Sequence, residues 1–123
     1  MNDNQNKQPA AEVASSELFG FGPDGYPTDA MLEQIKEGQW RDPKALLDQI
    51  KPYWRHADYG YWSANVRPDG TEVEYAISTC GWSGNEVIIY ALKENPVFWA
   101  QCWWQSRRGG HYVFIVPNLG GQR

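Results

Sequence analysis

The segment TCGWSGNE, residues 79–86, holds the densest group of reactive residue types in the chain. Cys80 precedes the predicted start of a helix, where the positive end of the helix dipole favours a thiolate. His111 could serve as its base and Glu86 could orient the imidazole, which together would allow nucleophilic catalysis. The competing interpretation is structural, because Ser83 and Glu86 fit the capping box S-x-x-E at a helix start. We favour the structural interpretation, since no local signature of a cysteine enzyme accompanies Cys80.

A second group of residues could bind an anion such as a nucleotide. Arg107 and Arg108 open the segment RRGGH, in which guanidinium groups can pair with phosphate or carboxylate and glycine admits a ligand close to the backbone. Tryptophans could form a stacking wall, and the predicted helix start near Asn85 adds backbone donors. The alternative is a solvated basic turn beside a Trp-rich core. The candidate ligand- or partner-binding residues are Trp82, Asn85, Trp99, Trp103, Arg107, Arg108 and His111.

Metal binding is not predicted from the residues that could supply ligands. These are Cys80, Cys102, His56 and His111, and no two of them have the spacing C-x-x-C or H-x-x-x-H. The glycines of GFGPDG, residues 20–25, do not follow a predicted strand, so they do not indicate a phosphate-binding loop. We therefore expect neither a metal nor a cofactor.

The tryptophan-rich segment near residue 100 predicts a strand with aromatic rings on both faces. By alternation, Trp99, Gln101 and Trp103 share one face, and Phe98 and Trp104 share the other. One outcome is an exposed aromatic patch suited to a protein partner or to a second copy. The other is that the N-terminal helices cover the second face. A helical interpretation of the same segment also stays open, because short apolar runs are ambiguous.

Capping signals predict the helices that would position these residues. Thr28 begins a helix that ends before Gly38, and Asp42 begins a second one that runs to about residue 51. We expect these two helices to form an antiparallel pair. A third helix is predicted over residues 84–94, with Asn95-Pro96 as its stop signal.

Two hairpins supply the predicted strands. The first turns at Arg67-Pro68-Asp69-Gly70, with Val66 opposite Thr71, so that Trp62 shares the buried face with Tyr75. The second turns at Gly109-Gly110, a two-residue link typical of hairpins. The fold class predicted from this order is α+β: an antiparallel sheet of about four strands in ββαββ order, covered by helices and preceded by a short helical pair.

Length and composition limit the possible functions of this chain of 123 residues. We predict a disordered tail over residues 1–16, a single domain over residues 17–116 and a flexible tail over residues 117–123. The net charge of −4 argues against broad nucleic-acid binding, which needs a basic surface. We see no secretory signal and no apolar run of ~20 residues, and the two cysteines do not suggest a disulfide framework. These features favour a cytosolic protein.

Two segments resemble a family of small uncharacterised proteins carried by bacteriophages and prophages. They are GWSGNE at residues 81–86 and FWAQCWWQSRRGGHYVFIV at residues 98–116. The resemblance covers roughly the last third of the chain and carries over no activity and no catalytic residue. It implies a phage-related setting, and therefore a host cytoplasm or a virion.

We expect a non-enzymatic binding protein of phage origin in the host cytoplasm, with a protein partner or a second copy on its aromatic surface. By analogy of setting, it would modulate or inhibit a host factor, for example in counter-defence. A protein that binds or sequesters a nucleotide or another anion is the first alternative. A Cys-His enzyme and a minor virion component are the others, and no membrane association is expected.

Overall fold

The computed structural model describes residues 16–119 and places four helices and four strands in them. The helices are α1 (Asp29–Glu37), α2 (Pro43–Ile50), α3 (Ser83–Lys93) and α4 (Pro96–Cys102). The strands are β1 (Trp62–Val66), β2 (Glu72–Ser78), β3 (Trp103–Arg107) and β4 (His111–Pro117). Short 3-10 turns cover Ser16–Leu18, Lys51–Tyr53 and Ala57–Tyr59. Most of the predicted N-terminal tail, and the predicted C-terminal tail from residue 120 onward, lie outside the described residues.

The strands form one antiparallel sheet in the order β1-β2-β4-β3, so β1 and β3 are its two edges. Each edge strand is joined to its inner neighbour by a hairpin, and β2 and β4 meet in the middle. The α+β class with a four-stranded antiparallel sheet is therefore confirmed.

The first hairpin has the predicted inner face but not the predicted register. Val66 pairs with Val73 rather than Thr71, a shift of two residues, which leaves every side chain on the same face. The loop is longer than predicted because Asp69 accepts hydrogen bonds from both the backbone amide and the hydroxyl of Thr71. These bonds also hold the pKa of the Asp69 carboxyl below its ordinary value.

The predicted long strand at residues 97–106 is wrong in its first half, which is helix α4. Asn95 caps this helix by accepting from the amide of Phe98, and Pro96 occupies its first turn. Phe98 and Cys102 are four residues apart and point into the core from one side of the helix. The strand begins only at Trp103, so the predicted alternation of faces does not hold for residues before it.

The core lies on one face of the sheet, between the strands and all four helices. On the sheet this face is formed by pairs such as Tyr75 with Phe114 and Val73 with Val116. The opposite face carries Glu74, Ala76 and other residues, none of which belongs to the core cluster. Helices thus cover a single face of the sheet in the described part of the chain.

Both N-terminal helices are confirmed together with their caps. Thr28 accepts from the amide of Met31, and Asp42 accepts from the amide of Lys44. Their packing differs from the predicted antiparallel pair, because α1 packs chiefly on α3 while α2 packs chiefly on β4. The side chain of Asn95 strengthens the first contact by donating to the carbonyls of Ile35 and Gly38 at the end of α1.

Candidate functional site

The residues predicted to form a site occupy three places in the fold. Trp82 and Asn85 stand at the start of α3, and Trp99 and Trp103 stand at the junction of α4 and β3. The residues Arg107, Arg108 and His111 surround the tip of the β3–β4 hairpin. The structure brings the second group together as a continuous surface but does not join the other two groups into one pocket.

The second group forms the best-defined aromatic cluster that reaches the surface. The rings of Trp99 and Trp103 are stacked, with centroids 5.9 Å apart and planes 16° apart. Trp99 also contacts Tyr112 and Phe114 edge-on, at 6.5 and 5.6 Å between centroids, which anchors the stack to the core. Trp103 is still 41% exposed, and its indole N–H donates to the hydroxyl of Ser106 at 2.9 Å.

A lysine lies at the centre of this cluster. The ammonium of Lys93 is 5.7 to 5.9 Å from the ring centroids of Tyr90, Trp99 and Tyr112. Burial raises the pKa of Tyr112, and the neighbouring Tyr90 and Glu86 add to this shift. We call the surface formed by Tyr90, Lys93, Trp99, Trp103 and Tyr112 the aromatic surface.

Trp104 does not belong to the aromatic surface. The pairing of β3 with β4 shifts by one residue between Trp103 and Gln105, so Trp104 is the extra residue of a β-bulge. Its side chain is 63% exposed. A bulge bends an edge strand and interrupts its row of free hydrogen-bonding groups, which makes β3 a poor template for an added strand.

The start of α3 is built differently from its predicted capping box. Ser83 is the first helical residue rather than the cap, and the cap position, Trp82, makes no side-chain capping hydrogen bond. The Ser83 hydroxyl instead pairs with the hydroxyl of Tyr26 at 2.6 Å. Glu86 makes no reciprocal bond to the cap among the contacts of the described residues. The capping-box prediction is therefore wrong, although the helix begins within one residue of the predicted position.

Asn85 is the centre of the junction between α3 and the segment before β1. It is fully buried, and its side chain accepts from the amide of Arg55 at 2.9 Å and donates to the carbonyl of Arg55 at 3.2 Å. It also donates to the carbonyl of Thr79 at 3.3 Å. The Asn85 side chain thus bonds to the backbone at Arg55 and at Thr79, donating two hydrogen bonds where a hydroxyl could donate only one.

Trp82 completes this junction. Its ring lies directly over Gly84, where a Cβ atom would come within 2.3 Å of the indole, so only glycine fits there without a shift. The ring also contacts Tyr26, at 5.5 Å between centroids, and carries the guanidinium of Arg55 at 4.9 Å from its centroid. We call Trp82, Gly84, Asn85 and Arg55 the Trp82 junction.

The thiol hypothesis gains no support from the geometry. Cys80 adopts a left-handed backbone conformation with φ of 49°, and its sulfur contacts the carbonyl of Arg55 and the side chain of Asn85. Within residues 16–119 no hydrogen bond joins Cys80 to His111 or Glu86. In the same range, no group of three or more potential ligands could hold a metal ion.

The arginine-rich hairpin tip faces solvent. Among residues 16–119 the Arg107 side chain bonds only to Gln105, at 3.4 Å, and Arg107 stands opposite His111 in the sheet. The tip is tied to the fold through Gly110, whose carbonyl accepts from Thr79 and whose missing Cβ leaves room for the Thr79 hydroxyl. No contact of the described residues joins Arg107 or Arg108 to a tryptophan. The predicted stacking wall therefore does not stand beside these arginines.

Two of the cavities in the described part of the molecule adjoin α4 and the Trp82 junction. One, of about 600 Å³, separates the end of α1 from α4, and the ion pair of Lys36 with Glu94, at 3.5 Å, spans its rim. The other, of about 450 Å³, adjoins Trp82 and Arg55. Sequence reasoning did not single out Arg55, whose importance depends on contacts with residues about 30 positions further along the chain.

Comparisons of the chain with protein-family models, with curated proteins and with solved structures gave no match. The phage setting implied by the two resembling segments therefore stays a prediction. In residues 16–119 no helix is long and apolar enough to span a bilayer.

Proposed function

We propose that the protein is a non-enzymatic binding protein that uses its aromatic surface to engage another protein or a second copy of itself. The observation that carries this proposal is the stacked pair of Trp99 and Trp103, which remains partly exposed after the domain has folded. Large aromatic rings at a surface are unfavourable in water and are typical of partner-binding sites.

The composition of the aromatic surface also fits an interface. Tryptophan and tyrosine are enriched among residues that dominate binding energy, because they bury a large area at a small entropic cost. Tyr90 is 57% exposed at its rim, and Lys93 supplies one positive charge at its centre. A partner with an apolar patch and a carboxylate near its middle would complement this arrangement.

The partner is expected to contact side chains rather than to extend the sheet. The bulge at Trp104 and the charged Arg107 both lie on β3, the edge strand next to the aromatic surface. Such features oppose edge-to-edge pairing of strands. The proposal is therefore a side-chain interface centred on Trp99 and Trp103.

The biological role follows from the setting that the sequence resemblance implies. A small acidic protein of phage origin, with an aromatic surface and no assembled Cys-His pair among residues 16–119, would act by occupying a host protein. We propose that the protein modulates or inhibits a host factor in the host cytoplasm. The alternative is that it is a minor virion component, which would use the same surface.

Truncation of Trp103 tests the proposal. For Trp103→Ala we expect the association to weaken by about thirtyfold, the equivalent of the ~2 kcal/mol typical of an aromatic hot spot. Sedimentation over a range of concentrations measures self-association. If the wild type is monomeric, capture from host lysate followed by titration of the purified partner measures hetero-association.

Tyr59→Ala is the matched control. Tyr59 is 79% exposed and lies before β1, at the opposite edge of the sheet, so its removal deletes an exposed ring without touching the aromatic surface. Association of Tyr59→Ala should equal that of the wild type. Equal association of Trp103→Ala and Tyr59→Ala, with both variants folded, would exclude the aromatic surface as the interface.

A further inference from the structure

The cavity of about 450 Å³ beside Trp82 has the features of a small-molecule site. Its volume lies within the range of about 300 to 1,000 Å³ that ligand sites usually have. Its walls come from three separate segments of the chain: the loop before α1, the segment that follows α2, and the residue before α3. The lining residues include Phe21, Asp24, Tyr26, Tyr53, Arg55 and Trp82.

Arg55 brings an uncompensated positive charge to this cavity. Its guanidinium lies over the Trp82 ring, and within residues 16–119 it forms neither an ion pair nor a hydrogen bond. A guanidinium that lies over an aromatic ring and has no other partner keeps N–H groups free for a planar anion. Most exposed arginines sample many positions, but the backbone of Arg55 is held at both its amide and its carbonyl by the buried Asn85.

The aromatic walls are held in place as well. Gly84 leaves the space that the Trp82 ring occupies, and Tyr26 packs on that ring while its hydroxyl bonds to Ser83. Phe21 contacts Tyr53 edge-on with 5.2 Å between centroids. Rings fixed before a ligand arrives lower the entropic cost of binding.

Among the described residues that line the cavity, Asp24 is the one with a carboxylate, and its position matters for the charge of the ligand. One of its oxygens accepts from the amide of Tyr26 at 3.0 Å, within the loop before α1. No ion pair connects it to Arg55 in the described part of the chain. Asp24 therefore serves its own turn and leaves the guanidinium available.

We propose that this cavity binds a small planar aromatic molecule that carries a carboxylate or a phosphate. The anionic group pairs with Arg55, and the ring lies against the aromatic walls beside Trp82. This site is separate from the aromatic surface and accounts for the GWSGNE segment, whose Trp82, Gly84 and Asn85 position the wall and the cation.

The test uses binding titrations followed by tryptophan fluorescence and by melting temperature. The probes are the four nucleoside monophosphates AMP, GMP, CMP and UMP, and the aromatic carboxylates benzoate and indole-3-acetate. At least one probe should raise the melting temperature in step with the logarithm of its concentration above the dissociation constant. Adenosine lacks the anionic group and inorganic phosphate lacks the aromatic ring, so both should bind more weakly than the best probe.

Three variants test whether the probe binds in this cavity. Arg55→Gln should weaken binding of the best probe about tenfold or more, as expected when a charge-assisted hydrogen bond is lost, and should remain folded because Asn85 holds only its backbone. Arg108→Gln, which removes another exposed arginine away from the cavity, should bind like the wild type. Asp24→Asn should bind the probe at least as well as the wild type.

Four results would overturn the proposal. They are the failure of all six probes to bind, equal binding of adenosine or phosphate alone, equal losses in Arg55→Gln and Arg108→Gln, and loss of binding in Asp24→Asn. The last result would indicate a cationic ligand. None of these results bears on the aromatic surface, because Arg55 and Asp24 contribute nothing to it.

Discussion

The two ends of helix α3 both carry tryptophan-containing sites, but they are built on different principles. At its start, the Trp82 junction uses polar and small residues to hold one ring and one backbone segment in place. At its end, the aromatic surface consists of rings that pack on each other around Lys93. The Trp82 junction is rigid because each of its groups has a specific partner, whereas the aromatic surface leaves part of its rings exposed to solvent.

This difference shows where function can reside in such a small domain. The segment with the greatest variety of reactive residues, residues 79–86, uses most of them for internal contacts. The segment with little chemical variety, FWAQCWW, leaves exposed ring area. The variety of residue types in a segment therefore did not indicate which aromatic rings the fold leaves exposed.

Removal of the Asn85 side chain should cause the largest loss of stability, because it breaks the Trp82 junction. Asn85→Ala removes a fully buried side chain and leaves the partly buried amide and carbonyl of Arg55 without their partner, and we expect a loss of about 3 kcal/mol in the free energy of unfolding. Chemical denaturation measures it. Asn65→Ala, on the exposed face of β1, is the control and should change stability by less than about 0.5 kcal/mol. A similar small change in Asn85→Ala would show that the junction is not rigid.

The two ends of α3 can also be compared by the accessibility of the nearby cysteine thiols. Cys80 adjoins the Trp82 junction, and Cys102 is buried in α4, next to Trp103 of the aromatic surface. Burial raises the pKa of Cys102 from 9.0 to about 11, and the residue is 2% exposed. We expect a thiol reagent at about pH 8 to modify Cys80 in the folded protein and Cys102 only after unfolding. Rapid modification of both thiols would mean that α4 opens readily.

The same pKa shift predicts a dependence of stability on pH. When folding raises the pKa of a group, the group contributes its full stabilisation at pH values below its unfolded pKa. This contribution is lost as the pH rises toward the folded pKa. Cys102 should therefore contribute about 2 kcal/mol less to stability near pH 11 than at pH 8. Denaturation of the wild type and of Cys102→Ala at both pH values checks this, and the stability advantage of the wild type should shrink at the higher pH. A constant advantage would contradict the buried neutral thiol.

The smallest expected effect concerns the hydroxyls at two helix starts. Thr28→Ala removes a genuine N-cap of α1 and should cost about 1 kcal/mol. Ser83→Ala removes only an exposed hydroxyl pair with Tyr26, so we expect a cost of less than about 0.5 kcal/mol. Denaturation of both variants side by side decides between the observed start of α3 and a capping box. Equal costs would restore the capping box.

The sequence was sufficient to predict the fold class because local signals agreed with the burial pattern. Thr28, Asp42 and the glycines of the second hairpin each marked an element that the structure contains. The inner face of the first hairpin was also predictable, since a shift of two residues does not change which side chains are buried. Its exact register depended on the side chain of Asp69, which alternation does not reveal.

Helix α4 was missed although its signal was present. Asn95-Pro96 has the same pattern as Asp42-Pro43, a polar cap followed by proline at the first helical position. Asn95-Pro96 is used in the sequence interpretation only as the stop signal of α3, and a helix after it is kept as the alternative to a strand. Alternation over the next residues then favoured a strand, as expected for a short apolar run.

The candidate sites were only partly predictable, because they combine distant segments. The pairing of Trp99 with Trp103 was foreseen as a shared strand face, yet it arises across a helix–strand junction. Lys93 and Tyr112 join the aromatic surface because of how α3 packs on the sheet. The same packing places Arg55 at the cavity. Only the packing of the folded chain brings these residues together.

The position of Asn95 has a consequence for how the length of this chain can vary. Its side chain caps the start of α4 and also bonds to two carbonyls at the end of α1, while its backbone amide bonds to Leu92 in α3. An inserted residue at this connection would separate three helix ends at once. We therefore expect related chains to keep the two-residue step from α3 to α4 unchanged, and to differ in length elsewhere, for example between α1 and α2.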